Sequence, residues 1–161
     1  MTVSTTLDWL SKPTHPTDAQ AREAALTRQS QLTKPPGALF QLEEIAVQLA
    51  SLQGTTEPAA NNISIVVFAA DHGIAAEGTS AFPQTVTGEM VKNFAAGGAA
   101  ISVMARHLNA KLEVVNLGCI NNPGELPGVI NCHLGAVTSN ASETPARTVQ
   151  QLCDALNAGR E

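Results

Sequence analysis

A largely apolar stretch, residues 63–70, runs directly into the polar triplet Asp71, His72 and Gly73. Four of its eight positions carry isoleucine or valine. Such a run predicts a strand that is buried on both faces, as in a parallel sheet. Ligands of open parallel sheets bind at the carboxyl ends of the strands. Asp71 and His72 are therefore the first candidates for a functional role.

Apolar residues recur at three- and four-residue spacing in other segments, which predicts helices. A rigid turn at residues 34–37 (Lys-Pro-Pro-Gly) separates the first two helices. The last helix is expected to begin at Thr144 and Pro145, because a hydroxyl cap followed by proline favours a helix start. The expected helices cover residues 17–32, 39–54, 85–94, 99–108 and 144–159. Residues 1–16 should form an arm with a short helical turn around 7–10.

Two more strands are predicted, at residues 112–117 and, more briefly, at 129–133. The order of elements indicates an α/β fold, a Rossmann-like parallel sheet with flanking helices, preceded by the N-terminal helices of a smaller domain. A right-handed crossover should join the first strand to the second. Both sheet edges would remain open, so the sheet is expected to be incomplete. The missing strands would come from a partner, from a longer chain, or from a segment interpreted here as a loop.

Composition narrows the class of protein. The chain has 161 residues, 3% aromatic residues and a net charge of −5, with no basic run, which argues against nucleic-acid binding. No stretch approaches the length of about 20 apolar residues that spans a membrane, and no secretion signal precedes the first helix. The expected location is therefore cytoplasmic. Three cysteines without paired spacing are expected to be reduced packing residues.

Asp71, His72 and Gly73 combine a hydrogen-bond acceptor, a titratable ring and a sharp turn at a strand end. These groups could orient a ligand or act as a general acid or base. In the alternative interpretation, Asp71 caps the turn and His72 fills a polar pocket. The residues alone do not decide between the two.

Glu77, Phe82, Pro83 and Met90 follow that strand end in the next loop and helix. An apolar, partly aromatic wall beside acidic groups would suit a flat heteroaromatic ligand, whose faces need apolar contact and whose ring nitrogen needs a polar partner. Phe82 and Met90 could instead be ordinary core residues, and from the residues alone that interpretation is favoured.

Other familiar sites are not indicated. Gly97 and Gly98 could present backbone amides to a phosphate, but close packing is the better interpretation because the longer spacing of a phosphate loop is missing. Cys132 and His133 lack the spacing of metal ligands. A dinucleotide fingerprint and a nucleophile elbow are also missing. We therefore expect no cofactor and no metal.

Six ordered motifs cover much of the chain: LTKPPGAL (32–39), LEEIAVQLA (42–50), VFAADHG (67–73), AEG (76–78), FPQTVT (82–87), and NF followed by GGAAI (93–94 and 97–101). Together they closely resemble the nicotinate-nucleotide:dimethylbenzimidazole phosphoribosyltransferase family, from about residue 17 to the end. The resemblance implies a large Rossmann-like domain, a small domain assembled from both chain ends, and a homodimer.

The resemblance also implies a reaction. Phosphoribosyl transfer from nicotinate mononucleotide to 5,6-dimethylbenzimidazole gives α-ribazole 5′-phosphate for the nucleotide loop of cobalamin (vitamin B12). Positions matching Phe82 and Met90 belong to the wall that binds the base in the family, with Pro83 between them. The substrate-binding residues implied or inferred are Phe82, Pro83, Met90, Asp71, His72 and Glu77.

The chain departs from the family in two respects. The family turn usually continues with serine, leucine, glycine and arginine, whereas residues 38–41 read Ala-Leu-Phe-Gln. Family chains are also much longer, and their second half carries a glycine-rich phosphate loop and the general-base glutamate. No catalytic residue is therefore assigned here. We expect residues 1–54 to belong to the small domain, residues 55–161 to begin the large one, and catalysis to need the C-terminal half. The alternative is a base-binding module or split subunit that works with a separate C-terminal partner.

Overall fold

The computed structural model describes residues 8–161. This part of the chain contains five helices, three strands and two short 3-10 turns. In order, the elements are a 3-10 turn (Asp8–Ser11), α1 (Ala19–Gln31), α2 (Gln41–Gln53), β1 (Ser64–Ala70), a 3-10 turn (Gly73–Glu77), α3 (Thr85–Ala95), α4 (Ala100–His107), β2 (Lys111–Gly118), β3 (Val129–Asn131) and α5 (Val149–Arg160). The arm expected over residues 1–16 lies, up to residue 7, outside the described residues.

The chain forms two compact units. One is Lys12–Asn61, and the other combines Asn62–Glu161 with the 3-10 turn at Asp8–Ser11. The division of the complete protein into a small and a large domain at residues 54 and 55 stays a prediction.

The first unit is a pair of helices with a small apolar core. Asp18 caps α1, since its carboxylate accepts a hydrogen bond from the Ala21 amide at 2.9 Å. Ala25, Val47 and Ala50 form the buried contact between α1 and α2. Both helices match the predicted ones because their periodicity and their end signals agree.

The turn before α2 holds Phe40 in an unusual backbone conformation. Its φ is +50° and its ψ is −128°. This backbone conformation is energetically unfavourable for any residue that has a Cβ atom. Phe40 is 83% exposed, so its ring gains little packing that would offset the strain.

The second unit contains a three-stranded sheet in the order β1-β2-β3. Both strand pairs are parallel, with Val67 opposite Val114 and Val114 opposite Val129. The sheet is open within the described residues, as the sequence predicts. Parallel strands point their carboxyl ends to one edge of the sheet, which is where the polar residues after β1 lie.

One face of the sheet carries the core, so the prediction that the first strand is buried on both faces is wrong for the described residues: Val66 and Phe68, on the other face of β1, are 45% and 51% exposed. Val91 of α3 is fully buried against Ala69 of β1, Val114 of β2 and Cys119. These side chains are small, so α3 can lie close to the strands. This contact fixes α3 beside the end of β1 and thereby shapes the site described below.

The prediction for the last helix is wrong at its start. α5 begins at Val149, and Thr148 is its N-cap, forming a capping box with Gln151. The Thr148 hydroxyl accepts from the Gln151 amide at 3.2 Å, and the Thr148 amide donates to the Gln151 side chain at 2.9 Å. Thr144 instead belongs to a loop, where its amide donates to the Asn140 carbonyl at 3.0 Å. Asn140 and Ser142 of the same loop donate to the Glu77 side chain, and these tertiary contacts override the local proline signal.

Candidate functional site

A cleft of about 540 Å³ opens at the carboxyl end of β1. The end of β1, the following 3-10 turn, the loop before α3 and one face of α3 form its walls. Pockets that bind small molecules in proteins have volumes of about 300–1,000 Å³, so the cleft can hold a bicyclic ligand.

Apolar side chains form one wall of this cleft. Phe82 and Met90 are 72% and 37% exposed, and Pro83 lies beside Phe82. Phe94 lines the same cleft further along α3 and is half-buried. Phe82 is therefore not a core residue, as the favoured interpretation of its sequence position had it, but an exposed ring at the cleft. Covering an exposed aromatic face with a flat ring is energetically favourable.

Asp71 joins three elements at the base of the cleft and is only 4% exposed. The Thr87 hydroxyl of α3 donates to its Oδ1 at 2.6 Å. The backbone amide of Ile120, in the loop after β2, donates to its Oδ2 at 2.7 Å. The Asp71 amide donates to the Gly118 carbonyl at 3.0 Å. The ends of β1 and β2 and the first turns of α3 are thus tied together at one residue, through its side chain and its backbone amide.

Two glycines let backbone segments approach the site closely. A Cβ on Gly73 would lie 2.5 Å from the Thr138 carbonyl oxygen and 2.6 Å from the Asn140 amide nitrogen. A Cβ on Gly88 would overlap the Asn121 carbonyl oxygen. Glycine is required at both positions because the facing atoms are backbone and cannot rotate away.

His72 lines the cleft, and its side chain is exposed. Its backbone carbonyl accepts a hydrogen bond from the Gln84 side chain at 2.8 Å. Gln84 also lines the cleft and thereby connects the end of β1 to the start of α3. The imidazole is available to a ligand, while the backbone of His72 is already held in place.

Glu77 stands apart from the other predicted site residues. Phe82, Pro83, Met90, Asp71 and His72 line the cleft, and Glu77 does not. Its Oε1 accepts hydrogen bonds from Asn140 Nδ2 at 2.6 Å and from Ser142 Oγ at 3.2 Å. In the structure Glu77 therefore anchors the loop that follows β3, and its role toward a ligand stays a prediction.

Sequence reasoning missed Gln84 and Thr87, which both line the cleft. A signal for Thr87 was available, because it precedes Met90 by three residues and so shares its helix face. Gln84 gave no comparable signal, since its partner is a backbone carbonyl twelve residues earlier.

The remaining candidates do not form a second site. Among residues 8–161, no group of three or more histidine, cysteine or acidic side chains is arranged to hold a metal ion. The Arg106 guanidinium donates to the Gly97 carbonyl at 2.8 Å, and a Cβ on Gly97 would overlap this guanidinium, so the glycine has a packing role. Burial raises the pKa of the Cys119 thiol, and the nearby Asp71 carboxylate raises it further.

Over the same described range, no helix is long and apolar enough to cross a membrane.

Comparison with known proteins identifies the chain's relatives. A phosphoribosyltransferase family model (DBI_PRT) matches residues 14–161. The chain is 58% identical over 154 residues to the nicotinate-nucleotide–dimethylbenzimidazole phosphoribosyltransferase of Xanthomonas axonopodis pv. citri, a match that covers 96% of this chain and 44% of the relative. It is 56% identical over 153 residues to the protein of the same name from Pseudomonas syringae pv. syringae, covering 95% and 43%.

A solved structure agrees with these relatives. The crystal structure of the nicotinate-nucleotide–dimethylbenzimidazole phosphoribosyltransferase from Thermus thermophilus superposes with a TM-score of 0.81 at 43% identity, over 89% of this chain and 43% of that chain. The chain spans less than half the length of the curated relatives it matches, and it corresponds to their N-terminal part. The resemblance found in the sequence motifs is thereby confirmed. The chain belongs to the nicotinate-nucleotide–dimethylbenzimidazole phosphoribosyltransferase family.

Proposed function

We propose that the chain supplies the base-binding part of a phosphoribosyltransferase that converts nicotinate mononucleotide and 5,6-dimethylbenzimidazole to α-ribazole 5′-phosphate. The observation that carries the proposal is the cleft at the end of β1, which has an exposed aromatic wall and a polar floor. In this proposal Phe82 and Met90 contact the faces and methyl groups of the benzimidazole, and Pro83 closes the wall between them. His72 and Gln84 lie at the polar end of the cleft.

The chemistry follows from the two substrates. A ring nitrogen of the benzimidazole attacks C1′ of the ribose, the C1′–N bond to nicotinate breaks, and nicotinate leaves with the bonding electrons. The other ring nitrogen loses its proton to a general base. Holding the flat base in a fixed orientation turns a bimolecular encounter into a positioned reaction, which is the contribution that this cleft can make. The general base and the phosphate loop are expected in the C-terminal half of the family.

A second candidate function is a base-binding module or split subunit that works with a separate C-terminal chain. The observation behind it is the open sheet, in which β1 and β3 are the outer strands of the described part. Both candidates use the same cleft, and they differ in whether the C-terminal half is on the same polypeptide.

The test uses the chain and a second polypeptide, the part of the Xanthomonas axonopodis relative that follows the matched region. Calorimetry measures binding of 5,6-dimethylbenzimidazole to the chain alone, and chromatography measures release of nicotinate from nicotinate mononucleotide. We expect base binding without turnover for the chain alone, and turnover when both polypeptides are co-expressed. Turnover by the chain alone would place a general base within these 161 residues, and a chain that binds no benzimidazole would refute the proposal.

Three further properties are predictions from the sequence. The complete protein is expected to be a homodimer, to act on small molecules in the cytoplasm, and to combine N- and C-terminal segments in its small domain. Light scattering of the complete protein measures the first of these directly, and a monomer at micromolar concentration would contradict it.

A further inference from the structure

Each oxygen of the Asp71 carboxylate accepts a hydrogen bond from a protein donor. Oδ1 accepts from the Thr87 hydroxyl at 2.6 Å, and Oδ2 accepts from the Ile120 amide at 2.7 Å. Both distances are typical of strong hydrogen bonds to a charged acceptor. With 4% of the residue exposed, little of the carboxylate is available to a ligand. A residue that bound the base directly would present a free oxygen to the cleft.

The same loop after β2 holds the start of α3 at two other places. The Asn121 side chain donates to the Thr85 carbonyl at 3.2 Å. The Asn121 backbone also packs directly on Gly88, where no Cβ would fit. Thr87 lies between these two contacts. The first turns of α3 therefore pack on the loop after β2. Among the described residues at the carboxyl end of β1, only the Asp71 side chain forms hydrogen bonds with both α3 and this loop.

The position of α3 sets one wall of the cleft. Thr87 and Met90 are three residues apart and lie on one face of α3. Phe82 lies on the loop that enters α3 and faces the same cleft. A shift of the first turns of α3 therefore changes the space between Met90 and the rest of the cleft.

We propose that Asp71 is a positioning residue, which acts through Thr87 to set the place of Met90 and thereby the size of aromatic base that the cleft accepts. This inference rests on the proposed function, since it assigns a selectivity to the same cleft. The two methyl groups of 5,6-dimethylbenzimidazole are the part of the base that reports on this spacing, because unsubstituted benzimidazole lacks them.

Two substitutions separate positioning from direct contact. Thr87→Val keeps the shape of the side chain and the charge of Asp71 but removes the hydroxyl donor. Asp71→Asn removes the charge but can keep both hydrogen bonds, since its amide oxygen accepts from Ile120 and its amide nitrogen donates to the Thr87 oxygen. Thr87→Ser is the matched control, because it restores the hydroxyl.

Calorimetry with benzimidazole and 5,6-dimethylbenzimidazole gives the decisive comparison. We expect Thr87→Val to weaken binding of the dimethylated base by about tenfold, the factor typical of a lost methyl contact in an apolar pocket, and thereby to reduce the preference of the cleft for the dimethylated base over benzimidazole. Thr87→Ser should stay within about threefold of the parent chain, since its hydroxyl keeps the hydrogen bond, and Asp71→Asn should fall between Thr87→Ser and Thr87→Val, since its hydrogen bonds persist without the charge. Loss of binding in Asp71→Asn with normal binding in Thr87→Val would overturn the inference and make Asp71 a direct contact.

A second measurement needs no ligand and guards against variants that fold poorly. Thermal unfolding shows which variants are folded at the assay temperature, and methyl NMR then follows the Met90 signal. We expect Thr87→Val to move this signal and Thr87→Ser to leave it in place. An unmoved Met90 signal in folded Thr87→Val would overturn the positioning role, whether or not the chain binds a base. Failure of the chain to bind either base would instead refute the proposed function.

Discussion

Replacement of Phe82 by alanine tests whether the exposed ring binds the base. Phe82 is 72% exposed, so its removal leaves no buried cavity and should change the free energy of unfolding by less than about 0.5 kcal/mol. A stacked base would cover one face of the ring. About 40 Å² of apolar surface on each partner, at about 25 cal/mol per Å², corresponds to about 2 kcal/mol. We therefore expect the Kd for 5,6-dimethylbenzimidazole to rise about thirtyfold.

The assay pairs isothermal titration calorimetry with thermal unfolding. Phe40→Ala is the matched control, because Phe40 is 83% exposed and belongs to the other compact unit, Lys12–Asn61. This variant loses the same phenyl ring at a position that does not line the cleft, so the Kd for 5,6-dimethylbenzimidazole should be unchanged. An equal loss of affinity in both variants would indicate a nonspecific effect, and an unchanged Kd in Phe82→Ala would remove this ring from the site.

Four other outcomes follow from the structure. Gly73→Ala should destabilise the fold by about 2 kcal/mol or more in denaturant unfolding, because its Cβ would overlap backbone atoms at 2.5 Å; a change within about 0.5 kcal/mol would contradict the packing. Phe40→Gly should raise the free energy of unfolding by about 1 kcal/mol by relieving the strain at φ +50°; a decrease would show the backbone to be unstrained. Cys119 should react with iodoacetamide more slowly than the less buried Cys132, because burial raises its pKa; peptide mass spectrometry reads both rates, and a faster Cys119 would contradict this. The Lys34 ammonium, which is hydrogen-bonded to Glu43, lowers the pKa of the Glu43 carboxyl below its ordinary value, so their ion pair stabilises the fold above that ordinary pKa and loses its effect as the pH falls through the lowered pKa; Lys34→Met should remove this part of the acid dependence of stability, and an unchanged acid profile would contradict it.

Most secondary structure could be predicted because local signals and tertiary contacts agree. The first helix has its Asp18 cap, the second ends at Gly54 with φ +62°, and the apolar run before Asp71 forms β1. The last helix is the exception. Thr144 and Pro145 carry a start signal, but the helix begins after Thr148, where a complete capping box offers two hydrogen bonds. Local signals compete, and the loop contacts decide among them.

The location of the candidate cleft could be predicted, but the hydrogen bonds that hold its residues in place could not. The end of β1 was indicated by the apolar run before Asp71, and the wall by Phe82 and Met90. The bonds that hold Asp71 come from Thr87, sixteen residues later, and from Ile120, 49 residues later. Such contacts depend on which strand lies next to β1, which is a property of the folded sheet rather than of local spacing.

An amide NMR titration of the chain with 5,6-dimethylbenzimidazole tests the central claim most directly, because it reports the place of binding as well as its strength. If the cleft binds the base, the amide signals of His72, Gln84 and Thr87 will shift together with one saturable Kd. Signals from α1 and α2 will stay in place. Absence of shifts at millimolar base, or saturable shifts confined to α1 and α2, would contradict the assignment of this cleft as the base-binding site.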